Sequence, residues 1–229
     1  MPPCLLLPNR TKVLEMKILD IPRLPHLHVN SPLPQLTEAL DALPRHAIGS
    51  APWAVTDPVA EAAFAVGHNE DCLFLKYFVR EDAIQARYRQ TNDTVYKDSC
   101  VEFFIALRGE QAYYNFEFNC LGTCRAGFGA SRDDRALLPA HHLAHVRRWA
   151  ALKVSSQETP KASWQLTLVI PTQVFAAHRL TSLLEEQVSV NLFKCGDELA
   201  EPHYLAWNSI EAPLPNFHLP AFFGKARFW

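Results

Sequence analysis

The 229-residue sequence predicts an all-β fold, an antiparallel β-sandwich of jelly-roll type with a few short helices in its loops. About ten short runs alternate apolar and polar residues, as strands with one buried face do. Turn-forming residues separate these runs at short spacing. Helical segments do not alternate with the runs as they do in βαβ units, so a parallel sheet is not expected.

Composition and charge argue against several kinds of partner. Hydrophobic residues make up 48% of the chain, which is enough to build a buried core. The formal net charge is −2, whereas nucleic acid and anionic membranes call for a basic surface, so we expect neither as a partner. No apolar run approaches about 20 residues, so we expect no membrane span.

The start of the chain and the cysteines bear on its location. Residues 1–8 are too short and too rich in proline for a signal peptide. A cytoplasmic location is therefore the default expectation, and a secreted or periplasmic one applies if a leader precedes the printed sequence. The six cysteines show neither a Cys-x-x-Cys pair nor a zinc-like spacing, so we expect most of them to be reduced.

The first part of the chain differs in composition from the rest. Ten of its 17 prolines fall within residues 1–58. Because proline removes a donor from a strand ladder, residues 1–50 are predicted to be an extended lead-in packed on the domain, with one short helix from Leu36 to Leu43. The sandwich itself is predicted over residues 51–229.

Strands follow in chain order from residue 62. The first hairpin joins Ala62–His68 to Cys72–Arg80 through an Asn/Asp-bearing turn. Residues 172–186 are predicted to form a short helical connection. The other alternating runs are Tyr96–Ile105, Tyr113–Asn119, Val146–Ser155, Ala162–Ile170, Gln187–Cys195, His203–Ile210 and Phe222–Trp229.

The central hairpin carries polar side chains on one face. Side chains alternate across a strand, so Val101 and Phe103 are predicted to enter the core and Glu102 to point away from it. The same parity places Glu117 and Asn119 of the next strand on that outer face. Carboxylates and amides within aromatic-rich strands indicate a polar ligand, although one face of an antiparallel sheet can also simply be hydrated.

The same hairpin resembles a known family. Tyr96-Lys-Asp-Ser-Cys-Val-Glu-Phe-Phe104, followed by Tyr113-Tyr-Asn-Phe-Glu-Phe-Asn119, is similar to the central motif of carbohydrate-binding family 9. The segments 188–197, 203–207 and 216–224 agree, so the resemblance covers roughly residues 50 to 229. It implies a non-catalytic sandwich domain that holds a sugar between two aromatic rings, with a carboxylate and amides bonding its hydroxyls.

The resemblance and the strand parity together give candidate sugar-binding residues. These are Tyr96, Glu102, Glu117, Asn119, Asn191, Phe217 and His218. By position in the motif Tyr96 matches the first aromatic, usually Trp, and Glu102 matches the carboxylate. Glu117 stands where characterised binders carry a basic residue. Phe217 and His218, from a loop near the chain end, are candidates for the second aromatic.

A glycoside hydrolase is the first alternative to a binding domain. Glu102 and Glu117 are predicted to lie on neighbouring strands and the same face, where carboxyls could come within about 5.5 Å, the separation that retaining enzymes use. The sequence offers no other catalytic pattern in support. A binding domain is therefore the preferred interpretation.

A haem domain is the second alternative, because the wider group of sandwiches includes haem binders. Met1 and Met16 lie outside the predicted sheet, so ligation would have to be by two histidines, with His68, His203 and His218 as candidates.

Calcium is the one metal that the sequence suggests, and no other cofactor is expected. Asn92 and Asp93 in the polar loop 81–95 carry oxygen ligands, although an Asn-Asp pair is more typical of a turn. The histidines of the 131–145 loop, at 141, 142 and 145, lack a supporting Cys or carboxylate and are interpreted as hydrated loop residues.

Overall fold

The computed structural model describes residues 16–54, 60–184 and 187–229. Thirteen strands occur in these ranges. They are β1 (Ile18–Ile21), β2 (His46–Ala47), β3 (Ala60–His68), β4 (Cys72–Glu81), β5 (Cys100–Ala106), β6 (Tyr113–Asn119), β7 (Cys124–Gly129), β8 (Arg135–Leu137), β9 (Arg147–Val154), β10 (Ala162–Pro171), β11 (Val188–Cys195), β12 (Tyr204–Ala206) and β13 (Gly224–Phe228). Met1, considered above as a haem ligand, and Cys4, the first of the six cysteines, lie outside the described residues.

The strands form two sheets. The larger has eight strands in the order β1-β13-β11-β5-β6-β7-β8, with β12 beside β11, and the smaller has the order β2-β3-β4-β10-β9. The pair β1–β13 is parallel, and the other strand pairs in the described ranges are antiparallel. The predicted all-β sandwich is confirmed.

Helices are few and short. They are the α-helices α1 (Leu33–Asp41) and α2 (Ala140–Leu143), and the 3₁₀ turns Val95–Lys97, Thr172–Val174 and Pro220–Phe222. Helix α1 begins three residues before its predicted start because Pro34 falls in its first turn, where the missing N–H costs nothing. None of the helices in the described ranges is long and apolar enough to cross a membrane.

Apolar side chains of both sheets meet in one core. From the central hairpin, Val101, Phe103 and Phe116 enter it, as the strand parity predicts, and Tyr77 and Trp164 of the smaller sheet pack opposite. The Tyr77 hydroxyl donates a 2.9 Å hydrogen bond to the backbone carbonyl of Glu102, which joins the two sheets directly below the outer face.

The outer face of the larger sheet is not open to solvent. A second apolar cluster covers part of it, built from the sheet residues Phe104 and Phe193 and from Phe217 and Phe223 of the C-terminal segment. The rings of Phe193 and Phe217 stack with centroids 4.1 Å apart. The C-terminal segment therefore acts as a third layer, and the sites on this face lie in a partly desolvated environment.

A buried charged group joins the sheets at one end. Lys194 Nζ lies 2.9 Å from Glu81 Oε2 and 2.8 Å from His203 Nε2, and it donates to the Cys195 carbonyl. Trp164 Nε1 donates to the other Glu81 oxygen at 2.6 Å. Burial, and then the Lys194 charge, lower the pKa of His203 to about 4. The Lys194 ammonium group is thus hydrogen-bonded to the Cys195 carbonyl and to His203 and ion-paired with Glu81.

Three parts of the chain differ from the sequence prediction in detail. Residues 16–50 add β1 and β2 to the edges of the two sheets, where proline-rich chain can end a ladder without breaking it. The 131–145 loop contains β8 and α2, which the short alternation did not reveal. The apolar pattern of the 172–186 connection predicts that Phe175, Leu183 and Leu184 pack inward; Phe175 and Leu183 are buried, whereas Leu184 is 39% exposed. Residues 185–186 are outside the described ranges.

The central aromatic pair should carry much of the stability. Phe116 is fully buried and faces Phe103 in register. Phe116→Ala should therefore lower the free energy of unfolding by about 3–5 kcal/mol in urea titrations. Val154→Ala, at a side chain 72% exposed, serves as control and should change it by less than about 0.5 kcal/mol. A loss below about 1 kcal/mol for Phe116→Ala would contradict the central place of this pair.

Candidate functional site

A pocket of about 250 Å³ opens on the outer face of the larger sheet. Five adjacent strands, β11, β5, β6, β7 and β8, each contribute one polar side chain to it. In that order they are Cys195, Glu102, Glu117, Arg125 and Arg135. The rest of its lining comes from loops, namely Tyr96, Arg132, Asp133, Asp197, Pro215, Asn216, Phe217 and His218, and from Tyr204 of β12.

Two carboxyl groups form the centre of the pocket. Glu102 and Glu117 are direct partners in the β5–β6 register and are both almost fully buried. Burial, and then the charge of Glu117, raise the pKa of Glu102 well above its ordinary value. Burial also raises the pKa of Glu117 to about 7, against the opposing effect of Arg135 and Arg125. The pair therefore holds a proton at neutral pH.

Each carboxyl group keeps free hydrogen-bonding capacity. Asn115 Nδ2 donates to Glu117 Oε1 at 2.7 Å, and the Cys195 thiol donates to Glu102 Oε1 at 3.1 Å. The second oxygen of each glutamate has no hydrogen-bond partner among the described residues. Buried polar atoms in this state are costly, so they indicate that the pocket takes a polar ligand.

Two arginines balance the carboxylates. Arg135 Nη2 lies 3.6 Å from Glu117 Oε1, and Arg125 Nε lies 3.9 Å from Glu117 Oε2. Arg125 Nη1 is fixed by the backbone carbonyl of Asn92 at 2.8 Å. Close approach of Arg135 to the sheet depends on Gly129, where a Cβ would clash with the backbone at residues 134–135. The pocket thus offers acceptors and fixed donors side by side.

His218 is held as a neutral ring. The Tyr113 hydroxyl lies 2.8 Å from its Nδ1, and Arg135 Nη1 lies 2.9 Å from its Nε2. Burial and the charges of the neighbouring arginines, Arg135 first, lower the pKa of His218 to about 2. The ring packs on Phe104 with centroids 4.9 Å apart, so it acts as a part of the wall.

Aromatic rings border the pocket on the β11–β12 side. Tyr96 and Tyr204 are half-buried, and Phe217 is largely buried against Phe193. The Asp197 carboxyl, next to Tyr204, has a raised pKa because of burial. These rings can stack on an apolar ligand face while the carboxylates bond its polar edge.

The seven predicted site residues divide into two groups. Tyr96, Glu102, Glu117, Phe217 and His218 line the pocket.

Asn119 and Asn191 do not line the pocket, because their side chains hydrogen-bond mainly to backbone groups. Asn119 donates to the Tyr88 carbonyl and to Asp98, and its oxygen accepts from two backbone amides. Asn191 bonds residues 192, 208 and 222.

The sequence also predicts that the 81–95 and 213–220 loops border the site. The 213–220 loop does border the pocket, but the second border is the 131–135 segment in place of the 81–95 loop. The 81–95 loop turns away because its backbone is tied to Asp98, whose oxygens accept from the amides of Arg87 and Tyr88.

The two calcium candidates have partners within the protein. Asn92, at φ 70°, donates to the Leu138 carbonyl and accepts from the Ala126 amide. Asp93 Oδ2 accepts from the amides of Arg89 and Gln90. Both side chains hydrogen-bond to backbone groups, as Asn and Asp side chains do in turns. The rings of His141 and His142 contact each other at the surface in a tilted arrangement, with centroids 4.4 Å apart.

The three haem candidates have separate surroundings. His68 packs on Phe228 near the C-terminus, His203 belongs to the Lys194 group, and His218 belongs to the pocket. No contact among the described residues links any two of them. The structure therefore adds nothing in favour of bis-histidine ligation. For the hydrolase alternative it supplies only the pairing of Glu102 with Glu117.

Several pocket residues escaped the sequence interpretation. Arg125 faces Glu117 in the β6–β7 register, so the parity argument, extended by one strand, would have found it. Parity along β11 likewise places Cys195 on the outer face. Arg132 and Asp197 lie on turns, where alternation gives no direction, and Arg135 begins the three-residue strand β8, which is too short to show alternation.

Comparisons with known proteins agree with this architecture. A sequence model described as Carbohydrate-binding family 9 matches residues 33–228. The crystal structure of a proposed carbohydrate-binding protein from Bacteroides uniformis ATCC 8492 shares 31% identity, with a TM-score of 0.84 over 94% of this chain and 100% of that chain. A search of curated proteins gave no match.

More distant structures share the fold alone. They are two structures of a family 9 carbohydrate-binding module from Caldicellulosiruptor kristjanssonii, each 11% identical to this chain. The complex with cellotriose has a TM-score of 0.54 over 93% of both chains. The complex with glucose has a TM-score of 0.52 over 93% of this chain and 96% of that one.

The buried carboxyl pair predicts a pH-dependent effect of Glu117→Gln on stability. The pKa of Glu117 rises from its ordinary 4.5 to about 7 on folding, so between these values the folded state binds more protons than the unfolded chain. The Glu117 contribution to stability is thus complete at acid pH and is lost as pH rises through about 7, by up to about 1.4 kcal/mol per pH unit. The variant should therefore gain stability relative to the parent protein over this interval.

The measurement is urea unfolding of both proteins from about pH 4 to about pH 8. The difference in unfolding free energy should level off at both ends of this series, which serves as its internal control. A difference that stays constant would show that folding leaves the pKa of Glu117 unchanged, and one that declines with rising pH would show that folding lowers it.

Proposed function

Because the chain belongs to carbohydrate-binding family 9, we propose that it binds its sugar in the pocket above Glu102 and Glu117. The observation that carries this assignment is the buried carboxyl pair itself. Each glutamate directs an oxygen without a hydrogen-bond partner among the described residues into a pocket that also holds fixed arginines and aromatic rings.

The chemistry of the lining suits a sugar. A sugar hydroxyl both donates and accepts, so it needs acceptors and donors close together. Glu102, Glu117 and Asp197 supply acceptors, and Arg125 and Arg135 supply donors. A neutral polyol therefore meets complementary groups on every side.

Tyr96 and Tyr204 supply the apolar contact. Each is half-buried, so each ring is positioned by the fold while part of it remains accessible. Phe217 is only 8% exposed and supports the wall from behind. We therefore assign stacking on the sugar C–H face to the two tyrosines. We assign to Phe217 the role of positioning them, since its ring centroid lies 6.1 Å from that of Tyr204.

The size of the pocket favours a short ligand. Its volume of about 250 Å³ lies below the ~300–1,000 Å³ typical of pockets for drug-sized ligands. It fits one sugar residue with neighbours extending over the rim, where Arg132 and Asp133 are exposed. Glucose and cellotriose, which the distant family 9 module binds, belong in the test panel for this reason.

Calorimetric titration with glucose, cellobiose, cellotriose and other mono- and disaccharides tests the assignment. Glu102→Ala should weaken binding of the best ligand roughly tenfold, because one or two hydrogen bonds of about 0.5–1.5 kcal/mol each are lost. Tyr96→Ala should also weaken it, through the loss of stacking, while circular dichroism shows both variants folded.

Glu61→Ala is the matched control, because Glu61 is an exposed carboxylate on the smaller sheet. It should bind like the parent protein. If Glu102→Ala and Tyr96→Ala both kept full affinity for a sugar that the protein binds, the site would lie elsewhere.

A further inference from the structure

Two cysteines and a carboxylate meet at the base of the pocket. Cys100 and Cys195 face each other in the β5–β11 register, and Glu102 is two residues along β5, on the same face as Cys100. The ligand atoms of the three side chains all lie within 4.8 Å of one another, and all three residues are buried. The distance from Cys195 Sγ to Glu102 Oε1 is 3.1 Å.

This arrangement is close to a metal-binding geometry. In a tetrahedral zinc site the Zn–S and Zn–O bond lengths place neighbouring ligand atoms roughly 3.6–3.8 Å apart. The three side chains extend from neighbouring positions of one rigid sheet, so small rotations suffice to reach these separations. Two thiolates and one carboxylate form a donor set that suits a thiophilic divalent cation.

A second feature points independently to a ligand at this place. Glu102 Oε2 has no hydrogen-bond partner among the described residues, although Glu102 is only 3% exposed. Glu102 and Cys195 both line the pocket, which gives a cation access to these two side chains.

We propose that Cys100, Glu102 and Cys195 together bind one thiophilic divalent cation, for which Zn²⁺ is the probe. The proposal does not rest on the proposed carbohydrate site, since it needs only the three side chains and access to them.

The charges around the three residues are compatible with a cation. Glu117 and Asp197 lie near Glu102 and both disfavour its ionisation, while Arg135 favours it. A divalent cation would offset the negative charges of Glu117 and Asp197 and would let Glu102 ionise. Burial raises the pKa of Cys100 to about 11, so cation binding must displace thiol protons, which is a measurable signature.

The test uses the full chain, reduced and then freed of reductant. Before titration, the denatured protein should show six free thiols, which establishes that the cysteines are not oxidised. Calorimetry with Zn²⁺ in two buffers of different ionisation enthalpy should show one saturable site with proton release. Titration with Co²⁺ should produce a thiolate-to-cobalt charge-transfer band.

Variants assign the ligands. Cys100→Ser and Cys195→Ser should each weaken Zn²⁺ binding at least about tenfold and reduce the charge-transfer band, since each removes one metal–sulfur bond. Glu102→Gln should weaken binding and keep the band. Cys124→Ala is the matched control, because Cys124 is buried on the core side of the same sheet.

Either of two results would overturn the proposal. One is the absence of a saturable site in the fully reduced protein. The other is equal Zn²⁺ affinity in Cys195→Ser and Cys124→Ala when thermal unfolding without metal shows both to be folded. Because no sugar is present in these titrations, their failure leaves the carbohydrate assignment to be decided by its own experiment.

Discussion

The register of the β5–β6 hairpin is the constraint on which the rest of the structure depends. Phe103 pairs with Phe116 inside the core, and one residue earlier on β5 Glu102 pairs with Glu117 outside it. A shift by one residue would exchange the two faces, burying carboxylates in the core and exposing aromatic rings. The hydrophobic effect that holds the rings together therefore also holds two buried carboxyl groups directly opposite each other, at a cost that the core can outweigh.

What turns this polar face into a pocket is the C-terminal segment. Phe217 and Phe223 of this segment pack on Phe104 and Phe193 of the larger sheet. Together these rings cover the part of the sheet next to the glutamates. Without that layer the carboxylates would be hydrated and would titrate near their ordinary pKa values. With it they are desolvated, which raises the pKa of Glu117 to about 7. The layer thus sets both the shape of the site and its electrostatics.

The carboxyl pair links three kinds of chemistry at one place. A proton, a sugar hydroxyl and a thiophilic cation can each satisfy the oxygens that the protein leaves without hydrogen-bond partners. The surrounding residues favour them differently: the arginines and tyrosines suit a polyol, whereas the facing pair Cys100–Cys195 suits a cation. Under the two proposals a proton, a sugar and a cation would compete for Glu102, so the pH and the metal content of a preparation would bear on its affinity for sugar.

The sequence by itself determined the sandwich and the orientation of the central side chains. Period-2 alternation is strong where one face must be buried, so Glu102 and Glu117 could be placed on the outer face from residues alone. Parity predicts which face of the sheet a side chain is on, but not what covers that face. It therefore did not distinguish Glu117, which lines the pocket, from Asn119 and Asn191, whose side chains hydrogen-bond to the backbone. Arg135 reaches the pocket from the short edge strand β8 and Asp197 from a turn, and the placement of both depends on long-range packing. Only the tertiary structure could decide these, because loop positions are set by contacts between residues far apart in the chain.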